Sequence, residues 1–318
     1  MRAVVTGGAG FIGSHLSERL AQQGHEVLAI DNLASGSARV GVLESKGVEL
    51  ETADIRQEKT RSLIAGFSPQ VVFHLAAQIE VARSVEDPIL DAKVNVVGLL
   101  RVVEGARDAG ARVVFTSSGG TIYGEVDPAG PAATEETTGQ PSSPYGITKR
   151  VAEDYLRFYR QTHGLDFVSL ALGNVYGPRQ DPHGEAGVVA IFAGRLVGGQ
   201  ECTINGDGKH TRDYVYVGDV VDAALLAVSK GAGETINIGT GEGTSTEDLY
   251  FRLAEICGVD RPPKHGPERP GDLRHSRLDN TKAAKVLGWK PATSLDQGMR
   301  ATVDWFRRNR DSQGSGGP

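Results

Sequence analysis

Few residues of this 318-residue chain carry sulfur: there are two cysteines, Cys202 and Cys257, and two methionines. Two distant cysteines form no disulfide framework and lack metal-site spacing, so we interpret them as buried or incidental thiols in a reducing compartment. No apolar run approaches the ~18 residues that a membrane helix needs. A strand predicted from residue 2 onwards leaves no room for a signal peptide, so we expect a cytoplasmic protein without a membrane partner.

The charge balance narrows the choice of partner. The chain has 34 Lys and Arg against 40 Asp and Glu, a net charge of −6, which argues against nucleic acid as the main partner. Its eight histidines include no HExxH pattern, so no metal site is expected. With 39% hydrophobic residues the chain can form one large or two modest cores.

A glycine-rich motif follows the first predicted strand, Arg2–Thr6. Gly7 permits a tight turn, Gly10 lets phosphates approach bare backbone, and Gly13 lets the next helix pack on the strand. Apolar residues at helical spacing follow: Phe11, Ile12, Leu16 and Leu20. The helix N-terminus offers free N–H groups and partial positive charge, so a strand, turn and helix in this order predict a dinucleotide site.

An acidic residue, Asp31, ends the second predicted strand. A carboxylate roughly 20 residues beyond the glycines is placed to accept the hydroxyls of an adenine ribose. It would repel a 2′-phosphate, and no Arg adjoins it in the sequence. We therefore expect NAD rather than NADP.

Strands and helices alternate through the first half, which is typical of a doubly wound parallel sheet of Rossmann type. The regular alternation of predicted strands and helices ends after residue 173. We therefore predict an NAD-binding domain over 1–173, to which segments near 213–240 return, and a smaller α/β substrate domain over 174–310. The Gly/Ser-rich segment 311–318 is interpreted as a flexible tail. A long Pro/Gly/Thr-rich loop, Glu125–Pro141, is a candidate rim of the substrate cleft.

Tyr145 and Lys149 lie one turn apart near the start of a predicted helix and so share a face. A tyrosine pKa of about 10 is too high for a base at neutral pH, but a neighbouring ammonium and a positive nicotinamide both favour the phenolate. Tyr145 is the candidate proton acceptor, with Ser118 hydrogen-bonded to the reacting hydroxyl. Spacing alone would also fit a surface helix.

Matching segments resemble the extended short-chain dehydrogenase/reductase family, in particular its nucleotide-sugar 4-epimerases. They include TGGAGFIGSHL, DNLASG, VVFHLAAQ, SSGGTIYGE, SPYGITK, NGDGKHTRDYVYVGDVVDA and RPGDLRHSRLD, and span residue 1 to about 308. The resemblance implies a catalytic set of Tyr145, Lys149 and Ser117 or Ser118. It implies an NAD site lined by Gly7, Gly10, Phe11, Ile12, Gly13, Asp31, Asn32, Asp54, Ile55, Leu75, Ala76, Ala77, Asn95, Tyr145 and Lys149. It implies a UDP-sugar site of Ser118, Gly119, Tyr145, Asn174, Val188, Arg212, Arg269 and Asp272.

The resemblance also implies a reaction: transient oxidation at C4 of UDP-glucose, rotation of the 4-keto sugar, and reduction to UDP-galactose. The family's 4,6-dehydratases carry an acid where this chain has Gly119-Gly120-Thr121, which disfavours dehydration. Ser276 aligns with a position where a small residue leaves room for an N-acetyl group. UDP-N-acetylglucosamine is therefore an alternative substrate.

Further alternatives stay open. Related epimerases of UDP-glucuronic acid place an Arg where this chain has Asp181, so that substrate needs compensation from Arg179 or Arg195. A basic loop of Arg261, Lys264, Arg269 and Arg274 suits a diphosphate, although a solvated loop is favoured for the first two. A net reductase or a catalytically silent NAD-binding protein is less expected. Helices near 92–109 and 148–162 resemble those that pair in the family's homodimers.

Overall fold

The computed structural model describes residues 1–34, 36, 39–183, 187–268 and 273–314. The strands are β1 (Arg2–Thr6), β2 (Glu26–Asp31), β3 (Glu49–Thr52), β4 (Val71–His74), β5 (Arg112–Ser118), β6 (Phe167–Leu172), β7 (Asn174–Tyr176), β8 (Thr203–Asn205), β9 (Thr211–Arg212), β10 (Tyr214–Tyr216), β11 (Thr235–Ile238), β12 (Thr244–Ser245) and β13 (Lys264–Gly266). The helices are α1 (Phe11–Gln22), α2 (Val40–Ser45), α3 (Glu58–Phe67), α4 (Val81–Glu86), α5 (Pro88–Ala92), α6 (Gly98–Asp108), α7 (Gly119–Ile122), α8 (Pro144–His163), α9 (Val188–Val197), α10 (Val217–Leu226), α11 (Thr246–Cys257), α12 (Thr281–Val286) and α13 (Leu295–Gly314). A π-helical turn, Lys93–Val97, joins α5 to α6.

The main sheet has seven parallel strands in the order β3-β2-β1-β4-β5-β6-β11. The chain reverses direction across the sheet between β1 and β4. In doubly wound sheets the crevice at such a reversal, beyond the carboxyl ends of the strands, is where ligands bind. The predicted Rossmann-type fold is confirmed.

Both faces of the sheet are covered, as a parallel sheet requires. Val5 and Phe73 belong to a buried cluster shared with α1 and α10, whereas Val4 and Val72 belong to a second cluster shared with α3, α6 and α8. Neighbouring strand residues thus point into opposite layers, and both layers are apolar.

The second half of the chain contributes differently. Strand β11 lies at the edge of the main sheet beside β6, and α10 packs against α1. Helices α9, α11 and α13 surround a third buried cluster that includes Phe192, Tyr250 and Met299. The division at residue 173 stays a prediction.

The C-terminal helix is longer than the sequence pattern indicates. Helix α13 continues to Gly314, so the first four residues of the expected tail 311–318 are helical, and the other four lie outside the described residues. No proline interrupts the chain between residue 295 and residue 314, so nothing forces an earlier end. Within the described part of the chain, no helix has the length and apolar character to cross a membrane.

Candidate active site

The glycine turn between β1 and α1 is shaped by close backbone contacts. Gly7 has φ +71°, and a Cβ there would lie 2.8 Å from the Ala76 nitrogen. A Cβ on Gly13 would lie 2.0 Å from the Gly7 carbonyl oxygen, and one on Gly10 would lie 2.9 Å from the same atom. A side chain at any of the three would therefore push α1 or the 75–77 turn away.

The turn leaves the N-terminus of α1 available to an anion. No side chain caps this helix at Gly10, and its first turn has no acidic residue. The first N–H groups of a helix have no partner within the helix and carry partial positive charge. A bare glycine cradle and a 12-residue helix aimed at it fit the diphosphate of a dinucleotide.

Asp31, at the end of β2, supports the glycine turn directly. Its carboxylate accepts hydrogen bonds from the Ala9 nitrogen at 3.0 Å and the Leu33 nitrogen at 2.8 Å. An ionised carboxylate has about four acceptor positions, so it can still accept ribose hydroxyls. Nearby, Arg56 holds the Asp54 carboxylate by two side-chain bonds of 2.9 and 2.6 Å and lowers its pKa, with a smaller contribution from Asn32.

Arg39 lies near enough to Asp31 in space for their charges to interact, although no Arg adjoins Asp31 in the sequence. Arg39 is 8% exposed and donates to the carbonyls of Arg179 at 3.0 Å and Ala9 at 3.4 Å. Burial lowers the pKa of Arg39, and the charges of Asp181 and Asp31 oppose this. Eight residues separate Arg39 from Asp31 along the chain, so adjacency in the sequence missed it.

The turn after β4 meets the glycine turn. Leu75 donates its backbone N–H to the Thr6 carbonyl, and Ala76 lies against Gly7. The amide of Asn95 closes this turn, because it accepts from the Gln78 nitrogen at 2.9 Å and donates to the Gln78 carbonyl at 3.0 Å. Asn95 lies in the π-helical turn, a feature frequent at functional sites. Ile55 packs against Gly98 in the same layer.

Helix α8 begins where the sequence requires. Ser143 caps it by accepting from the Gly146 nitrogen at 3.2 Å, and Pro144 occupies the first turn. Tyr145 follows at once, and its phenol is hydrogen-bonded to Ser118, the last residue of β5. Lys149, one turn later, is 4% exposed and donates from Nζ to the Thr116 carbonyl at 2.9 Å.

Burial is the largest influence on the pKa of both Tyr145 and Lys149. Burial raises the pKa of the Tyr145 phenol to about 12, opposed by a hydrogen bond with Ser118. Burial lowers the pKa of Lys149 to about 8, opposed by the charges of Asp91 and Glu153. Lys149 Nζ lies 5.9 Å from the Tyr145 ring centroid and is directed to a carbonyl instead. The ammonium alone therefore does not produce a phenolate at neutral pH.

The structure distinguishes the two candidate serines. Ser118, the last residue of β5, interacts with the Tyr145 hydroxyl. The Ser117 hydroxyl is buried and has no hydrogen-bond partner among the described residues. Ser118 is therefore the serine that lies beside the Tyr145 phenol.

The predicted sugar side forms around α7. A Cβ on Gly120 would lie 3.4 Å from Asn174 Oδ1 and 3.8 Å from Ser276 Oγ, so these residues meet here. Gly119 packs against Leu278 in the same way. Ser276 is 3% exposed.

The loop Glu125–Pro141 is hydrogen-bonded to residues 274–279, the segment that includes Ser276. Its Glu125 carboxylate accepts from the backbone nitrogens of Arg274 and His275, both at 2.7 Å. Ala133 exchanges backbone hydrogen bonds with Arg277 and Asp279 at 2.8 Å. The loop is therefore fixed to the segment that carries Ser276, and its role as a rim of the substrate cleft stays a prediction.

Arg212 is held at the edge of this region by its neighbours. Its guanidinium donates to the Thr211 carbonyl at 2.9 Å and the Arg274 carbonyl at 3.3 Å. Asp213, which sequence reasoning missed, is 1% exposed and accepts from Thr240, Gly241 and Leu278. This buried carboxylate fixes the turn that carries Arg212. Its position directly after that arginine is the feature of the sequence from which it could have been predicted.

Other predicted substrate residues are less informative. Val188 begins α9, and Arg269 and Asp272 lie outside the described residues. Lys264 pairs with Glu201 at 2.6 Å, Arg261 donates to the Gln200 carbonyl, and Arg274 pairs with Asp207. These three basic side chains are engaged locally, so the interpretation of the loop as a diphosphate site is not supported by them.

Comparison with known proteins decides the family. Residues 3–239 match the profile described as "NAD dependent epimerase/dehydratase family". The chain belongs to this family. A "UDP-glucose 4-epimerase" of Mycolicibacterium smegmatis is 51% identical over 311 residues, which cover 96% of this chain and 99% of that protein.

Two solved structures of this epimerase family extend the comparison. A Thermotoga maritima UDP-glucose 4-epimerase with UDP-glucose has a TM-score of 0.93 at 46% identity and covers 98% of this chain and 100% of its own. A Thermus thermophilus UDP-glucose 4-epimerase in complex with NAD has a TM-score of 0.89 at 46% identity, covering 96% and 99%. The chain is therefore an NAD-dependent enzyme of the epimerase class, and the glycine turn described above fits that cofactor.

Proposed function

We propose that this protein interconverts UDP-glucose and UDP-galactose by epimerisation at C4. The observation that carries the proposal is that the Tyr145–Ser118 pair lies at the carboxyl end of β5 and the glycine turn at the carboxyl end of β1, at the same edge of one parallel sheet. Full-length similarity to UDP-glucose 4-epimerases supports the substrate. The absence of an acid at Gly119-Gly120-Thr121 disfavours dehydration.

In this mechanism the protein moves a proton and holds the sugar. Tyr145 takes the proton of the C4 hydroxyl, and Ser118 hydrogen-bonds the same oxygen. The pKa of about 12 for Tyr145 means that cationic charge at the site is needed to favour the phenolate. Lys149 supplies part of that charge. NAD, when bound, supplies the hydride acceptor and donor at C4.

The cofactor side of the site is assigned to the residues that surround the glycine turn. Gly7, Gly10 and Gly13 admit the diphosphate, and Asp31 accepts the adenine-ribose hydroxyls. Asp54 and Ile55 border the adenine end, and Leu75, Ala76 and Ala77 border the middle of the cofactor. On the sugar side, Asn174, Val188, Arg212, Arg269 and Asp272 stay predictions.

Tyr145→Phe tests the assignment of the base. Loss of the hydroxyl removes the proton acceptor, so we expect kcat to fall about 10²- to 10⁴-fold with NAD still bound. Tyr155→Phe is the matched control, since it removes a hydroxyl from the same helix outside the proposed site and keeps the aromatic ring that belongs to the apolar face described below. Product formation by Tyr145→Phe at the wild-type rate would overturn the mechanism and favour a silent NAD-binding role for these residues.

The substrate range has two further candidates. Ser276 is small and lies beside Gly120 and Asn174, so acceptance of UDP-N-acetylglucosamine stays a prediction, checked by the same turnover assay. UDP-glucuronic acid is less favoured. Arg179 pairs with Glu18 and Arg195 donates to the Glu201 carbonyl, so neither offsets Asp181. Net reductase activity would require an exchanging cofactor and stoichiometric consumption of NADH.

The quaternary state we propose is a homodimer, in the cytoplasm. Helices α4 and α5 and the π-helical turn pack against α8 and share a face. This face exposes large apolar side chains: Ile79, Val85, Ile89, Val97, Ile147, Tyr155 and Phe158. Several large exposed apolar side chains on helices that pack together favour an interaction site.

A further inference from the structure

A buried carboxylate that sequence reasoning missed lies behind the Tyr145–Lys149 pair. Asp91, on α5, is 0% exposed. One oxygen accepts from Gln78 Nε2 and Asn95 Nδ2, both at 3.0 Å, and the other accepts from Thr148 Oγ1 at 2.7 Å. In the described part of the chain Asp91 has only neutral hydrogen-bond donors and no ion pair.

These bonds connect the two halves of the proposed site. Asn95 closes the turn at Gln78 on the cofactor side. Thr148 precedes Lys149, and its single hydroxyl proton is shared between Asp91 and the Tyr145 carbonyl, whose oxygen lies 3.0 Å from Oγ1. Asp91 thus joins the cofactor-side turn to the first turn of α8.

The charge of Asp91 needs a compensating cation. A buried ion whose hydrogen-bond partners are all neutral is costly unless an opposite charge lies nearby. Lys149 is the buried cation nearby. Asp91 and Glu153 both raise the pKa of Lys149, and Asp91 contributes more than Glu153. Asp91 also disfavours ionisation of Tyr145.

We propose that Asp91 is a positioning residue: its buried negative charge keeps Lys149 cationic, and its hydrogen bonds fix α8 to the cofactor-side turn. The inference rests on the proposed roles of Tyr145 and Lys149. The other titratable groups that face Lys149 are Glu153 on α8 and His74 on β4. Burial and the charge of Lys149 lower the pKa of His74 to about 3, so it is neutral.

Asp91→Asn tests this in the full-length enzyme with NAD, using the pH dependence of kcat. Removing the anion lowers the pKa of Lys149 and also that of Tyr145. Both the rise and the fall of kcat with pH should therefore move to lower pH by about one unit. Asp87→Asn is the matched control, because it makes the same charge change on an exposed residue that caps the same helix. It should leave the profile unchanged.

A second readout needs no turnover. Ionisation of Tyr145 can be followed as the part of the tyrosinate absorbance that is lost in Tyr145→Phe. In Asp91→Asn this absorbance should appear at lower pH than in the wild type. If Asp91→Asn does not fold, Asp91→Ser replaces it, with the same shift expected. An unshifted pH profile of kcat in an active variant would overturn the inference about Asp91 and leave the proposed function standing. Failure of both variants to fold would do the same. Absence of epimerase activity in the wild type would instead overturn the proposed function.

Discussion

Two adjacent serines at the end of β5 differ in what their hydroxyls contact. Ser118 interacts with the Tyr145 phenol and lowers its pKa against burial, whereas the buried Ser117 hydroxyl has no partner among the described residues. Ser118→Ala should reduce kcat about fivefold, because a hydrogen bond to the reacting group is worth roughly 1 kcal/mol. Steady-state kinetics with UDP-glucose measures this.

Ser117→Ala provides the comparison. It removes a hydroxyl that is buried without a partner among the described residues, so stability should stay within about 1 kcal/mol of the wild type and kcat should be unchanged. Thermal unfolding and the same kinetics measure both. The reverse pattern, in which Ser117→Ala loses activity and Ser118→Ala does not, would contradict the assignment.

At the scale of single residues, the sequence predicted the positions of residues that belong to a local motif. The glycines and Asp31 lie as the strand-turn-helix pattern predicts. Arg39 and Asp91 were missed because their neighbours come from distant parts of the chain. The raised pKa of Tyr145 could not be predicted from the sequence pattern either, because burial depends on packing rather than on residue spacing.

At the scale of elements, the packing of α1 on the glycine turn depends on one missing side chain. A Cβ on Gly13 would lie 2.0 Å from the Gly7 carbonyl oxygen, a backbone atom that cannot rotate away. Gly13→Ala should therefore lower the free energy of unfolding by about 2 kcal/mol or more and weaken NAD binding. Chemical denaturation and retention of NAD measure the two effects.

The control is Gly66→Ala in α3. No heavy atom lies within 4 Å of a Cβ there, and alanine is a better helix residue than glycine, so stability should rise by about 0.5–1 kcal/mol. A Gly13→Ala protein as stable as the wild type would show that the turn adapts, and would remove the steric argument for this glycine.

Element boundaries followed the sequence closely where local signals were strong. The Ser143-Pro144 pair marks the start of α8, and the first strand has its predicted bounds. The helix expected near 92–109 begins earlier, at Pro88, and includes the π-helical turn that presents Asn95. A single inserted residue in the helical repeat leaves no clear mark in hydrophobic periodicity.

For the whole molecule, the apolar face on α4, α5, the π-helical turn and α8 predicts the oligomeric state. The wild type should sediment at twice the chain mass of 33.7 kDa. Phe158→Arg combined with Ile147→Arg places charges in the interface and should give a monomer. Phe251→Arg is the control, since Phe251 is 51% exposed on α11, away from this face. A monomeric wild type would contradict the proposal.

The overall fold was predictable because βα alternation and the glycine motif act over short segments. The return of β11 to the main sheet was expected only approximately, since pairing between β6 and β11 joins residues far apart in the chain, as between Ser169 and Thr235. The loop Glu125–Pro141 illustrates the limit: its composition indicated a rim, but its bonds to 274–279 depend on the assembled fold.

The central claim is that the protein epimerises a UDP-hexose at C4 with retained NAD. The most direct test adds UDP-glucose to the purified protein without added cofactor and follows the sugar proton signals by NMR. We predict the appearance of UDP-galactose until both sugars reach equilibrium. Unchanged UDP-glucose in the presence of folded protein with bound NAD would contradict the claim.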